Sequence, residues 1–276
     1  MRSKLVVSLM LVGCAGSLPQ PPAVDLGTPL AAAPPAATGP AVTFNYTADR
    51  VGDVCREASK VQTTTTVGST PPKLYEREQA DTYEVLAVAN DVSVKERFAW
   101  SRHSIRRSGV EDVIPISLGT QYLMSLDEQG ARQAFDAQGG PLPKPLAEWI
   151  TGHWRVGVRD DIATALHGNT LRPGDEVPAL AARYRKQIVD GATLRSERYL
   201  YIGQEGDNAR FSIEVEADFR WESPGTFSMR TKLWVSVPRG TPSREETSFT
   251  VVRQRREGDQ LHIESSGFSE DSCEAR

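Results

Sequence analysis

The sequence predicts a mainly β protein: antiparallel curved sheets or two related β-rich modules, with short helices in the middle. Three observations carry that expectation. Runs rich in Val, Thr, Tyr and Phe recur along the chain between Gly-, Pro-, Asn- and Asp-containing breaks, the composition of strands joined by turns. The run "FSIEVEADF" alternates with period two, so Phe211, Ile213, Val215, Ala217 and Phe219 share one face while Ser212, Glu214, Glu216 and Asp218 share the other. The tetrad Arg50-Val51-Gly52-Asp53 returns as Arg172-Pro173-Gly174-Asp175, each time ahead of an extended run and a hairpin-like pair, as a duplicated β unit would place it.

In chain order, "AVTFNY" opens the first β-rich half (41–140), and "VCREASKVQTTTTV" follows the first Gly-Asp turn as a strand. "DTYEVLAVA" and "DVSVKERFAW" form a hairpin across "AND". The antiparallel layer continues through "SRHSIRRSGVEDVIPISLGTQYLMSLDEQG", with His103 among Arg102, Arg106 and Arg107 on a wet, charge-protected strand edge. "EQGARQAFDAQGG" reads as a short helix. In the connector (141–171), "PLPKPLAEWITGHW" reads as a second, with Pro145 near its start and Leu146, Trp149 and Ile150 at helical spacing. "DDIATALHG" adds a helical turn capped by Asp160 or Asp161. The second β-rich half (172–276) pairs "ERYLYIG" with "ARFSIEVEADF" through "QEGDN", then "TFSMRTKLWVSVP" with "TSFTVVRQRR", and ends on "QLHIESSGF".

Ahead of all this stands "MRSKLVVSLMLVGC". Arg2 and Lys4 form a positive n-region, and the apolar run from Leu5 to Val12 is far short of the roughly 20 residues that span a bilayer but suits an export signal. "LVGC" resembles the lipobox of bacterial lipoproteins. That resemblance implies a signal peptide over 1–13, acylation of Cys14, and attachment to the membrane through N-terminal acyl chains. Ala15, where inner-membrane retention in many Gram-negative lipoproteins uses aspartate, implies the cell outer membrane. Residues 14–40 hold the acylated cysteine and a Pro/Ala-rich tether without amphipathic pattern. The two "vGD" turns followed by long strands also resemble a diffuse group of uncharacterised bacterial lipoproteins built from two β-rich halves. That likeness implies architecture and location and brings no reaction with it.

Loss of 1–13 leaves 30 basic against 36 acidic residues, a formal charge of −6. This balance gives no reason to expect nucleic acid, whose binding rests on clustered basic side chains. Cys55 and Cys273 are then the two remaining cysteines, a candidate disulfide in an oxidising compartment and not a "CxxC" redox pair. The four histidines, His103, His153, His167 and His262, show no zinc-like spacing, and no metal or cofactor is expected. His153 near Asp160 and Asp161 reads as a polar residue beside helix-capping acids. No "GxSxG", "SxxK", "GxGxxG" or phosphate-loop pattern occurs, so no catalytic residue is nominated. Trp100, Tyr199, Tyr201, Phe219, Trp221 and Trp234 are the candidate lining of an apolar pocket, or else core. The favoured role is non-enzymatic, structural or protein-binding, within the cell envelope. A periplasmic carrier or sensor for a hydrophobic ligand is the first alternative, and an envelope hydrolase is the second.

Overall fold

The computed structural model describes residues 39–154, 156–188, 192–219, 224–254 and 258–274. The signal peptide, Cys14, most of the tether and Trp221 lie outside the described residues.

The fold is mainly β, as the sequence predicts. Strands β2 (Val54–Val67), β3 (Lys73–Ala89), β4 (Val92–Arg107), β5 (Val110–Glu111), β6 (Gln121–Leu126) and β7 (Arg132–Asp136) come from the first part of the chain, after a two-residue β1 (Val42–Thr43). After helices α1 (Lys144–His153) and α2 (Asp161–Leu166), strand β8 (Thr170–Leu171) and helix α3 (Ala181–Tyr184) come β9 (Thr193–Glu205), β10 (Asn208–Phe219), β11 (Gly225–Ser236), β12 (Pro242–Gln254) and β13 (Gln260–Glu274). One antiparallel sheet runs in the order β7-β6-β4-β3-β2-β13-β12-β11-β10-β9, with β5 beside β4. The chain thus builds outward from β2 to one edge, crosses to the other edge at β9, and meanders back until β13 closes on β2.

That central seam pairs fourteen residues of each strand, from Leu261 opposite Val67 to Glu274 opposite Val54. Cys273 stands opposite Cys55, and their sulfurs lie 2.08 Å apart, bonded across the seam. The first and last strands of the sheet are therefore tied covalently at its centre.

The two Arg-x-Gly-Asp turns share one hydrogen-bond pattern. The Asp53 carboxylate accepts from the Arg50 amide as Asp175 accepts from Arg172. Gly52 and Gly174 then donate to Val85 and Tyr201 of the facing strand, whose amide in the first turn donates back to Asp53 and in the second to Asp175. Both glycines hold φ near +90° (+93° and +95°), a region that costs a residue with a Cβ. The repeat ends there. The first turn feeds β2, but after the second Pro178 starts a 3-10 turn, Pro178–Leu180, that leads into α3. The extended run expected after Asp175 is thus helical over 178–187, because proline supplies no strand donor and suits a first helical position.

Three other expectations are corrected. Residues 128–140, read as a helix, form β7 and the turns on either side of it, in a hairpin with β6. Asp127 accepts from the Gln129 and Ala131 amides and Asp136 from those of Gln138 and Gly140, so side-chain turn bonds outcompete a helical start. The strand assigned to the first half at "AVTFNY" is β1, which pairs with β8 and places Phe44 in the core of the second half. His103 is not on a wet edge: the residue is 3 % exposed and packs against Trp100 and Trp149.

One face of the sheet carries two apolar clusters. Under α2 and α3 lie Phe211, Ile213, Val215, Ala217 and Phe219 of β10, the set that the period-two pattern selects, with Leu166, Leu180 and Tyr184 above them. Under α1 lie Phe98 and Trp100 of β4 with Ile150 and Trp154. Asp160 caps α2 as expected, accepting from the Ile162 and Ala163 amides.

Candidate functional site

The sheet face turned away from both clusters carries a hollow of about 750 Å³. Its geometry follows from register. Arg210 of β10 stands opposite Trp234 of β11, Trp234 opposite Arg244 of β12, Arg244 opposite Glu270 of β13, Glu270 opposite Ala58 of β2, and Ala58 opposite Ala80 of β3. These residues alternate with buried Ala209, Leu233, Val235 and Glu245, so the row stands on the outer face. Ala80 in turn stands opposite Arg102 of β4, so two alanines between Glu270 and Arg102 leave a trough there. Arg56, Thr82, Ser101 and Ser272 border it.

One end of the trough is rigidly built. The Arg244 guanidinium sits 5.0 Å from the Trp234 ring centre and 5.3 Å from that of Phe268, and it pairs with Glu246 at 2.5 Å and Glu270 at 3.7 Å. Arg210 lies 6.0 Å from the Trp234 ring and pairs with Glu205 at 3.5 Å. The Ser243 hydroxyl donates to the Asn208 side-chain oxygen at 2.7 Å and closes the strand ends behind them. Interleaved rings and guanidiniums hold one another in place, so donors and acceptors of both signs face the hollow in fixed positions.

On the opposite face, a polar strip separates the two apolar clusters. One cross-strand row runs His103, Gln79, Ser59, Ser269, Glu245 from β4 to β12. Arg77 donates to Gln79, and Gln79 to Asp81. At the β12 end, Arg183 of α3 bridges Glu245 (2.9 Å) and Asp160 (3.5 Å), which ties two helices to the sheet. At the other end, His103 packs edge-on against Trp149 and Trp100, and Trp149 stacks on His153 at 4.0 Å. Neither His103 ring nitrogen has a hydrogen-bond partner among the described residues.

Burial, with the positive charge of Arg77 and then His153 adding to it, lowers the His103 pKa from 6.5 to about 4. A base with a depressed folded pKa stabilises the fold fully above its unfolded value, and that contribution is lost as pH falls from 6.5 toward 4. The full shift corresponds to about 3 kcal/mol. Urea unfolding at stepped pH is expected to show this loss in the wild type and a flatter profile in His103→Phe. Equal slopes in the two proteins would assign the acid sensitivity to other groups.

The aromatic residues nominated from sequence do not come together. Trp100 belongs to the cluster under α1, whereas Tyr199, Tyr201 and Phe219 belong to the one under α2 and α3. Trp100 and Tyr201 are fully buried. Tyr201 packs on Phe211 and Phe44, and Trp100 on Phe98 and Trp154. Of the five that are described, Trp234 alone borders the hollow. Its neighbours there were missed, although the alternation in "TKLWVS" does separate Trp234 from Leu233 and Val235. His153 bonds its Nδ1 to the Trp149 carbonyl and makes no pair with the acids at 160 and 161. Glu214, Glu216 and Asp218 lie on the wetter face of β10, with Asp218 paired to Arg195. Among the described residues no group of three or more His, Cys, Asp or Glu side chains is arranged to hold a metal, and no helix is long and apolar enough to cross a membrane.

Comparison with known proteins adds little. No family model matches the chain, and no curated protein matches it. Among solved structures, the S-type phycobiliprotein lyase CPES from Guillardia theta aligns over 79% of this chain and 88% of that chain, at 9% identity and a TM-score of 0.21. So low a score carries no argument about what this chain does.

Proposed function

We propose that this chain is a lipid-anchored, non-enzymatic protein of the cell envelope whose β body binds an envelope component. Cys14 carries the acyl chains, the Pro/Ala-rich stretch spaces the body from the outer membrane, and the outer-face hollow is the contact surface. The observation that carries the reading is the hollow itself: a surface trough at one end of which exposed donors and acceptors are oriented by ring and ion-pair contacts. Of the six side chains named for the hydrophobic-carrier alternative, Trp100, Tyr199, Tyr201 and Phe219 are engaged in core packing, which favours the envelope-binding reading over it.

The test is expression of the precursor in a bacterial host, extraction from membranes with mild detergent, and intact-mass measurement. The expected product begins at Cys14 and carries added acyl mass, so it partitions into detergent, whereas Cys14→Ala leaves an unacylated chain in the aqueous phase. Identical processing and partition of the two proteins would remove the anchor from this reading.

A further inference from the structure

Taking the hollow as the binding surface, and so resting on the reading above, we infer that its ligand is an uncharged, polyhydroxylated chain, a glycan, laid across the strands. Three features of the site select that chemistry. The first is what the backbone offers. β2, β3 and β11–β13 are paired on both sides, so their amides and carbonyls are committed to ladders and cannot take up an extended peptide by strand addition. Recognition has to come from side chains alone.

The second is the charge pattern. On the outer face Arg56 and Arg244 stand with Glu205 and Glu270, and the Arg244 charge is already balanced by Glu246 and Glu270; Glu57, Asp81 and Asp271 also border the hollow from the alternate strand positions, Glu57 and Asp81 with buried side chains. A ligand of either sign meets like charge in this lining, an anion at more positions than a cation. Hydroxyl groups both donate and accept, so they satisfy guanidinium, carboxylate, Ser101, Thr82 and Ser272 alike. The third is shape. Ala58 and Ala80 keep the floor low between the Trp234–Arg244 end and Ser101, giving room for a chain of rings running across the strands, and the Trp234 ring supplies apolar area for the C–H edges of a sugar. An acyl chain would strand the same charges without water.

The experiment is calorimetric titration of the full chain in detergent with chitotetraose, maltotetraose and cellotetraose as probes, repeated with Trp234→Ala and with Ala58→Tyr, which fills the trough without touching either core. The expected result is saturable binding of at least one oligosaccharide, weakened about 10-fold or more by Trp234→Ala and abolished by Ala58→Tyr, while circular dichroism shows both variants folded. Raising salt from about 0.05 to 0.5 M is expected to change the affinity little, because the ligand is uncharged. No binding of any of the three, or binding untouched by Ala58→Tyr in the folded variant, overturns the inference. So does salt-sensitive capture of a mixed-charge peptide at the trough, which would leave the envelope-binding reading standing with a protein partner. Loss of acylation and detergent partition in the wild type would instead strike that reading, whatever the sugars do.

Discussion

Replacing Cys55 and Cys273 together by alanine is expected to lower stability to unfolding by about 2–5 kcal/mol. The bridge spans 218 residues, for which the loop-entropy argument gives an idealised value of about 5 kcal/mol. Residual order in the unfolded chain reduces it. The loss should be local as well as global, because the bridge lies at the end of the β2–β13 seam where Arg56, Ala58, Glu270 and Ser272 border the hollow. Urea unfolding of the oxidised wild type and the double variant measures the global part. Amide exchange over 54–58 and 270–274 measures the local part, and faster exchange there is expected well before the sheet as a whole opens. A change under about 1 kcal/mol would mean that the ladder holds the seam without covalent help.

Arg183→Met is expected to cost about 3–5 kcal/mol. Its side chain is 13 % exposed and those of Asp160 and Glu245 are 8 % and 9 %, so removing the guanidinium leaves buried carboxylates on α2's cap and on β12 that have lost a counter-charge. The magnitude comes from that stranded charge and not from the net worth of the pair, which burial largely cancels. Arg183→Met combined with Glu245→Gln should therefore recover part of the loss. Arg185→Ala is the control. Arg185 pairs with Glu197 on the surface, and there water screening keeps the effect well below that of Arg183→Met. Equal losses for Arg183 and Arg185 variants would show that the inner cluster is as well hydrated as the outer pair.

Local pattern was legible in the sequence because it follows from chain periodicity. The alternation in β10 named its core face correctly, and all five of Phe211, Ile213, Val215, Ala217 and Phe219 are buried. Asn90 and Asp91 occupy the predicted β3–β4 turn, both with positive φ, the geometry that suits strand twist. The recurrence of Arg-x-Gly-Asp foretold two turns with matching hydrogen bonds, since a Gly with positive φ beside an Asp that bonds its own backbone is a local solution. Where local signals competed, the reading failed. Alanine and glutamine in 128–140 favour helix, but the turn bonds of Asp127 and Asp136 decide for a hairpin.

What lies far apart in sequence was beyond that reach. His103 looks like a solvated edge residue among arginines until α1 packs on the sheet and places Trp149 against it. The outer-face row from Arg210 to Ala80 depends on the register of five ladders at once, and a one-residue slip in any of them would turn part of it into the core. By itself the sequence determined the strand class, the period-two faces and the repeated turns, because each rests on neighbours; it nominated Cys55 and Cys273 as a candidate pair, and the structure bonds them. Tertiary structure alone decided that the two halves form a single sheet with its first and last strands at the centre, and which side chains meet across it. Register and sheet order are set by the summed packing of whole faces, a sum that no single segment contains.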